Sequence, residues 1–320
     1  MVYLIMIKLI KKHFRHKFLT KSSKAILSIG NAMGLGSEKT ARYWTSHNVT
    51  SHYRFQNASE SLEYFNWRND QYFNYINLMP VCGQDDKHVL DYGCGPGHDL
   101  VGFGVFSKTA RLTGIDLSES SLAEARDRLD IHNIDAELIL LDSSAVKLPL
   151  ADNSFDYIHS SGVLHHVPDP VKILLEFSRI LKPGGVIRVM VYNYDSLWLH
   201  LYVAYHLNIL KNKFTDESIL DQFRRSTDGK DCPISNCYRS VEWIGICEQA
   251  GFSAEFIGAA VSMHEMNLLP SRYAAIQDRR LRTESRKFLM NLHFDEKGYP
   301  LYEGHYAGVD GCFLLTKLGD

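Results

Sequence analysis

The chain has 320 residues and a mass of 36.5 kDa, with 45% hydrophobic residues, 22% charged residues and a formal net charge of −2. That is enough for one large core, or one core with a smaller appended layer, and the composition is ordinary for a globular protein. The near-neutral charge gives no global electrostatic case for binding nucleic acid. The six cysteines (Cys82, Cys94, Cys232, Cys237, Cys247 and Cys312) form no C-x-x-C pair, so the common zinc and thioredoxin spacings are absent. They read as reduced thiols of a cytoplasmic protein.

Residues 1–30 carry Lys8, Lys11, Lys12, Arg15, Lys17, Lys21 and Lys24 with no acidic residue. Their apolar start precedes the basic residues, the reverse of a secretory signal's order. No stretch reaches the roughly 18 apolar residues of a membrane span. Residues 1–24 therefore read as a basic extension, with weak contact to an anionic membrane surface as the second reading. The glycines Gly30, Gly34 and Gly36 read as a hinge. Two glycosylation sequons, at Asn48 and Asn57, mean little without a secretion signal.

Residues 59–78 read as a helix with Phe65, Arg68, Tyr72 and Tyr75 on one side. Packing is the commoner use of such a stripe. The alternative is a helix folded over a ligand, with Arg68 against an anionic group.

From residue 87 the pattern alternates strand and helix. Apolar runs at 89–90, 112–115, 138–141, 155–158 and 186–191 read as buried parallel strands. Ser118 and Ser121 are candidate caps of one helix, Asp169-Pro170 starts another, and Lys182-Pro183-Gly184-Gly185 stops it. The fold class is a doubly wound, Rossmann-like α/β sheet. After residue 192 the rhythm breaks into two long excursions, 193–237 and 261–308, around a helix–strand unit at 243–257 and a last strand at 312–316. The expected organisation is an N-terminal helical extension and cap over 1–80, a ligand-binding core over 81–192, and the rest of the sheet with its acceptor-side insertions over 193–320.

The chemistry centres on residues 89–100, VLDYGCGPGHDL. An apolar run enters Asp91, and glycines follow at alternate positions, Gly93, Gly95 and Gly97. A strand running through such a loop into a helix makes a cradle of backbone N–H groups. The G-x-G-x-x-G of a dinucleotide site needs glycine where His98 stands, which argues against a dehydrogenase. Asp116 ends the second strand, where a carboxylate can accept both hydroxyls of a ribose. Asp142 and Ser143 end the third, where they can meet an adenine amino group, and Ser160 and Ser161 end the fourth. Each carboxylate alone reads equally well as a helix cap. As an ordered set at one sheet rim they read as a nucleoside site.

The segments LDYGCGPG, GIDLS, LDSSAVKLPLADNSFDYIHSSGVLHHVPDP and LKPGGVIRV resemble the class I S-adenosylmethionine-dependent methyltransferase family. They are most similar to its small-molecule branch, which includes ubiquinone and menaquinone biosynthesis enzymes. The resemblance covers residues 87–192. It implies a seven-stranded sheet in the order 3-2-1-4-5-7-6 with the last strand antiparallel, and S-adenosyl-L-methionine as cofactor. By the same resemblance Gly93, Gly95, Gly97 and Ser160 would surround the methionine part, and Asp91 would hold its amino group. Asp116 would bind the ribose, Leu117 would pack on the adenine, and Asp142 would meet the adenine amino nitrogen. Arg68 joins this set as the candidate cation.

A sulfonium methyl is already activated, so the protein must align a nucleophile and exclude water. For a hydroxyl acceptor a base is needed, and His165, ahead of His166, is the candidate. Ser160-Ser161-Gly162-Val163 departs from the tetrapeptide of adenine-methylating enzymes, and Cys94 lies in the glycine loop. Both favour a small-molecule acceptor and no nucleic acid partner; the expected reaction is methylation of a small or glycan-like acceptor at oxygen. The alternatives are a non-catalytic cofactor-binding subunit and a peripheral-membrane enzyme acting on a lipid or quinone. Trp198, Tyr202 and Tyr205 suggest an acceptor cleft with apolar walls. Among Asp228, Lys230, Asp231, His293, Asp295, Glu303, His305 and Asp310, the carboxylates and histidines could include metal ligands, as in some sugar O-methyltransferases, but their spacing matches no metal motif and they read first as solvated loop residues.

Overall fold

The computed structural model describes residues 34–47, 54–214 and 217–319. The basic run at 1–24, Gly30 and the sequon at Asn48 lie outside these residues. In chain order the helices are α1 (Glu38–Ser46), α2 (Ala58–Asp70), α3 (Tyr75–Leu78), α4 (His98–Phe106), α5 (Glu119–Ile131), α6 (Pro170–Ile180), the wide π-helix α7 (Trp198–Leu210), α8 (Ile219–Thr227), α9 (Ser240–Gln249), α10 (Met263–Leu268), α11 (Arg272–Gln277) and α12 (Thr283–Met290). The strands are β1 (Tyr72–Phe73), β2 (His88–Tyr92), β3 (Arg111–Asp116), β4 (Glu137–Leu140), β5 (Phe155–Ser161), β6 (Leu181–Tyr192), β7 (Phe252–Ser262), β8 (His293–Phe294), β9 (Pro300–Tyr302), β10 (His305–Tyr306) and β11 (Asp310–Lys317).

The main sheet runs β1-β7-β11-β6-β5-β2-β3-β4. Strands β2 to β6 pair in parallel, and β11 is antiparallel to both β6 and β7. Seven of these strands stand in the order 3-2-1-4-5-7-6 with the last one antiparallel. The eighth, β1, is an addition. It pairs Tyr72 with Ser262 and Phe73 with Val261 at the β7 edge.

That extra strand corrects the long helix expected over 59–78. Helix α2 starts at the N-cap Asn57, whose side chain accepts from the Glu60 N–H, and it ends at Asp70. Asn74 then adopts a left-handed backbone with φ of 71°, a conformation asparagine tolerates. The open edge of β7 offers partners that helical spacing alone does not reveal, and sheet pairing wins.

Successive residues of β2 serve opposite layers. Leu90 packs with Ile115, Ile158, Phe177 and Trp243, whereas Val89 packs with Leu100, Phe103, Leu112 and Leu129. A strand buried on both faces is apolar without alternation, which is why these runs were continuous in the sequence. A third cluster, built around Leu199, Leu201, Val203, Phe223, Phe288 and Leu289, joins α7, α8 and α12. It carries the two excursions. Among the described residues no helix is long and apolar enough to cross a membrane.

Candidate functional site

A cavity of about 380 Å³ opens at the carboxyl rim of β2, β3, β5 and β6. Its floor is the turn from β2 into α4. Gly93 has φ of 75°, and a Cβ there would sit 2.2 Å from Val163 Cγ2. Only glycine fits that position. The Gly95 N–H donates to Asp116 Oδ2 at 2.9 Å, and Gly95 lines the cavity. Gly97 does not line it. It begins α4 with φ of 76°, and a Cβ would lie 3.0 Å from Ala125 Cβ. Its role is the close approach of α4 to α5, a correction to its expected place beside the cofactor.

Asp116 also accepts the Ser118 N–H at 2.8 Å, so its carboxylate ties the loop to the start of α5 while lining the cavity. Burial raises its pKa, and the Ser118 and Gly95 amides work against that rise. Leu117 and Leu141 line the same wall. Asp142 does not. Its exposed carboxylate accepts the Ser144 N–H and hydroxyl, both at 2.8 Å, which holds it below its ordinary pKa. Ser143 is also outside the lining set, its carbonyl accepting the Gly36 N–H. A local turn has captured both.

At the other end of the floor stand Asp91, Asp99 and Arg68. Asp91 is 2% exposed and burial raises its pKa, with Asp99 and Asp116 nearby adding to the rise. Asp99, in the first turn of α4, is paired with the fully buried His159, whose Nε2 lies 3.2 Å from Oδ2. Burial opposes its charge, but the bond to His159 together with the charges of His159, His98 and Arg68 outweighs burial and holds the carboxylate below its usual range. Its Oδ1 has no partner among the described residues. Burial likewise opposes the Arg68 charge, and Tyr75 and Asp99 more than offset it. Asp99 was missed in the sequence, where it reads as a helix-start acid.

Ser160 is fully buried, its Oγ has no partner among the described residues, and it does not line the cavity. Its neighbour Ser161 does, bonded to the Tyr75 hydroxyl. Alternate strand residues face opposite sides, so a shift of one position changes the assignment.

The histidine pair is corrected in the same way. His165 is fully buried outside the cavity, its ring stacked on Tyr192 at 3.8 Å and its Nδ1 accepting the Tyr192 N–H at 3.3 Å. Burial pushes its pKa far down. His166 is the one that lines the cavity. Its Nδ1 donates to the Ile234 carbonyl at 2.6 Å, and its Nε2 lies 3.7 Å from Asp228 Oδ2. Burial lowers its pKa, with Asp228 opposing.

Asp228 is therefore no solvated loop residue. It accepts the Tyr192 hydroxyl at 3.1 Å and the Ser235 hydroxyl at 3.0 Å, and it lines the cavity. Asp310 also lines it, buried at the start of β11 and pushed up to about 8 by burial and the nearby Glu265. The aromatic wall is Trp44, Tyr72, Tyr192 and Trp198. Trp198 was anticipated, whereas Tyr205 is buried in the α7 core and Tyr202 packs against that core.

Residues 84–230 match the family described as a methyltransferase domain. A demethylmenaquinone methyltransferase of Listeria welshimeri is 32% identical over 145 residues, covering 43% of this chain and 57% of that one. An uncharacterized methyltransferase of Schizosaccharomyces pombe is 36% identical over 130 residues, covering 38% and 45%. The chain thus spans about half the length of the relatives it matches. Among solved structures, the chain is similar to a SAM-dependent methyltransferase of Thermotoga maritima with a TM-score of 0.46 and 20% identity, covering 80% of this chain and 95% of that one. It is also similar to a Haemonchus contortus phosphoethanolamine N-methyltransferase in complex with S-adenosylhomocysteine, with a TM-score of 0.46 and 15% identity over 86% and 59%.

Proposed function

We propose, for a chain whose residues 84–230 match a methyltransferase domain, an enzyme that moves the methyl group of S-adenosylmethionine to an oxygen of a small, ring-bearing acceptor. The observation that carries this reading is one continuous cavity with the Gly95–Asp116 clamp on its floor and His166 with Asp228 in its wall. When bound, the cofactor supplies an activated sulfonium methyl.

This chain's residues do the rest. Asp116, already rigid through two backbone donors, receives the ribose hydroxyls. Leu117 and Leu141 pack the base. Asp91 and Asp99 face an ammonium group, and the charged Arg68 faces a carboxylate. Ser143 and Asp142 reach the adenine only if the 142–144 turn opens. The aromatic wall of Trp44, Tyr72, Tyr192 and Trp198 orients a flat acceptor and excludes water. His166 takes the acceptor's proton. Its Nδ1 proton is committed to Ile234, so the neutral ring offers its Nε2 lone pair, and burial keeps the ring neutral near pH 7. Residues 193–237 and 261–308 choose the acceptor.

Isothermal titration with S-adenosylhomocysteine tests the cofactor half, and lack of binding to the folded protein sinks it. Labelled cofactor incubated with a cell extract, followed by mass spectrometry of the product, identifies the acceptor and the atom. A second reading, a quinone-type acceptor, is favoured by the same aromatic wall and by the relatives named demethylmenaquinone methyltransferase. Turnover of demethylmenaquinol in place of hydroxyl acceptors selects it.

A further inference from the structure

Beside the cavity, His166, Asp228 and Cys232 bring one ligand atom each to within 4.8 Å of one another. These are an imidazole nitrogen, a carboxylate oxygen and a thiol sulfur, taken from the turn after β5 and from the loop after α8. No familiar ligand spacing links the three in the sequence, so only the fold brings them together.

The local hydrogen bonding leaves an electrostatic gap at its centre. The Nδ1 proton of His166 is donated to the Ile234 carbonyl at 2.6 Å. In the neutral ring, Nε2 is then a bare lone pair. It lies 3.7 Å from Asp228 Oδ2, which is also an acceptor. Two acceptors that face one another in a buried setting call for a cation between them. The Asp228 carboxylate already receives the Tyr192 and Ser235 hydroxyls, so neither of those donors fills the gap. Cys232, 5% exposed, is the third member, its Sγ 3.9 Å from His166 Nδ1 and its thiol donating to the Ile234 carbonyl at 3.2 Å.

We infer that His166, Asp228 and Cys232 form a site for a zinc-class divalent cation, with its fourth position open to the acceptor end of the cavity. Three protein ligands and one open position are the pattern of a reactive rather than a purely structural zinc site, and mixed N, O and S donors suit that ion. In a tetrahedral site with bonds of about 2.0–2.3 Å, neighbouring ligand atoms lie about 3.3–3.7 Å apart, so the widest spacing that the 4.8 Å limit allows needs to close by about 1.1–1.5 Å. The outer groups are in place. The Ile234 carbonyl fixes the His166 ring through Nδ1, and two hydroxyls fix the Asp228 carboxylate.

This inference rests on the reading that the acceptor lies against His166, and it refines the proton step. A cation there takes over the task given above to the Nε2 lone pair. With the cation bound, the acceptor hydroxyl would lose its proton to solvent, its oxygen would form the new O–C bond as the S–C bond of the sulfonium breaks, and the bonding pair would leave on sulfur to give S-adenosylhomocysteine.

The test uses the full chain, treated with chelator and carrying C82S to remove the exposed thiol. It is titrated with zinc chloride by calorimetry and with cobalt chloride by absorption spectroscopy. The expected result is one equivalent bound per chain and a cobalt–thiolate charge-transfer band. Cys232→Ser should abolish that band and weaken zinc by about tenfold or more, with S-adenosylhomocysteine affinity retained as proof of folding. Asp228→Asn should weaken zinc while leaving the band. Absence of the band, or zinc affinity unchanged by Cys232→Ser, overturns the site. Intact S-adenosylhomocysteine binding with no metal uptake leaves the proposed function standing, and loss of that binding in the unmutated chain sinks the function instead.

Discussion

The two ends of the cavity are built in opposite ways. The end proposed for the cofactor comes from short, contiguous pieces at neighbouring strand ends, with the Gly93 N–H donating to the Ile115 carbonyl and the Gly95 N–H to the Asp116 carboxylate across one parallel pair. The acceptor end is assembled from distant pieces. His166 follows β5, Asp228 follows α8, Trp198 begins α7 and Asp310 begins β11. A rim of parallel strands can hold the same kind of ligand in many proteins, while the helical cluster above it can be rebuilt for a new acceptor.

The acceptor end depends on a single buried carboxylate. Glu265 accepts the N–H groups of Trp198, Ser262 and Val309, and so joins α7, α10 and the approach to β11. Glu265→Ala should lower stability by about 4 kcal/mol, because it strands several buried donors at once. Urea unfolding measures it. A loss below about 1 kcal/mol would mean that the excursions hold together without it.

The functional division is tested by two variants. Asp116→Ala should weaken S-adenosylhomocysteine by about a hundredfold in calorimetry, since it removes a buried acceptor and loosens the loop. His166→Ala should slow methyl transfer by about a hundredfold or more while changing that affinity by about twofold or less. If His166→Ala costs as much affinity as Asp116→Ala, the two ends are not separate.

Within the cofactor end the glycines should also separate. Gly93→Ala should destabilise the chain by about 2 kcal/mol, because its methyl group meets Val163 at 2.2 Å. Gly95→Ala meets nothing within 4 Å. It should cost less stability and act mainly on cofactor affinity, as paired unfolding and titration experiments will read.

The smallest change is read per pH unit. Asp310 is pushed up to about 8 by burial. The folded chain therefore keeps this proton where the unfolded chain, with an ordinary carboxylate near 4, has lost it. Between about pH 4 and 8 the folded state binds more protons, so stability is greatest at the acid end and falls as pH rises, by at most about 1.4 kcal/mol per unit. Asp310→Asn should flatten that slope in urea unfolding, and an unchanged slope would place the titration elsewhere.

The doubly wound sheet, the glycine cradle and the place of Asp116 were determined by the sequence alone. Each is written in adjacent residues: apolar runs buried on both faces, glycines where a Cβ cannot fit, and an acid at a strand end. What only the tertiary structure decided were choices between neighbours and meetings between strangers. Strand alternation turned Ser161 rather than Ser160 to the cavity, and the turn after β5 presented His166 while burying His165 under Tyr192. A local hydrogen-bonded turn drew Asp142 away, and close helix packing claimed Gly97. Edge pairing with β7 broke the helix expected through Tyr72. Asp228 and Asp310 stood out only as polar loop residues and Cys232 only as an isolated thiol, because their chemistry exists only where separate loops close on one another. The seat proposed for the methyl donor is a local pattern, and the seat proposed for the acceptor is a product of packing.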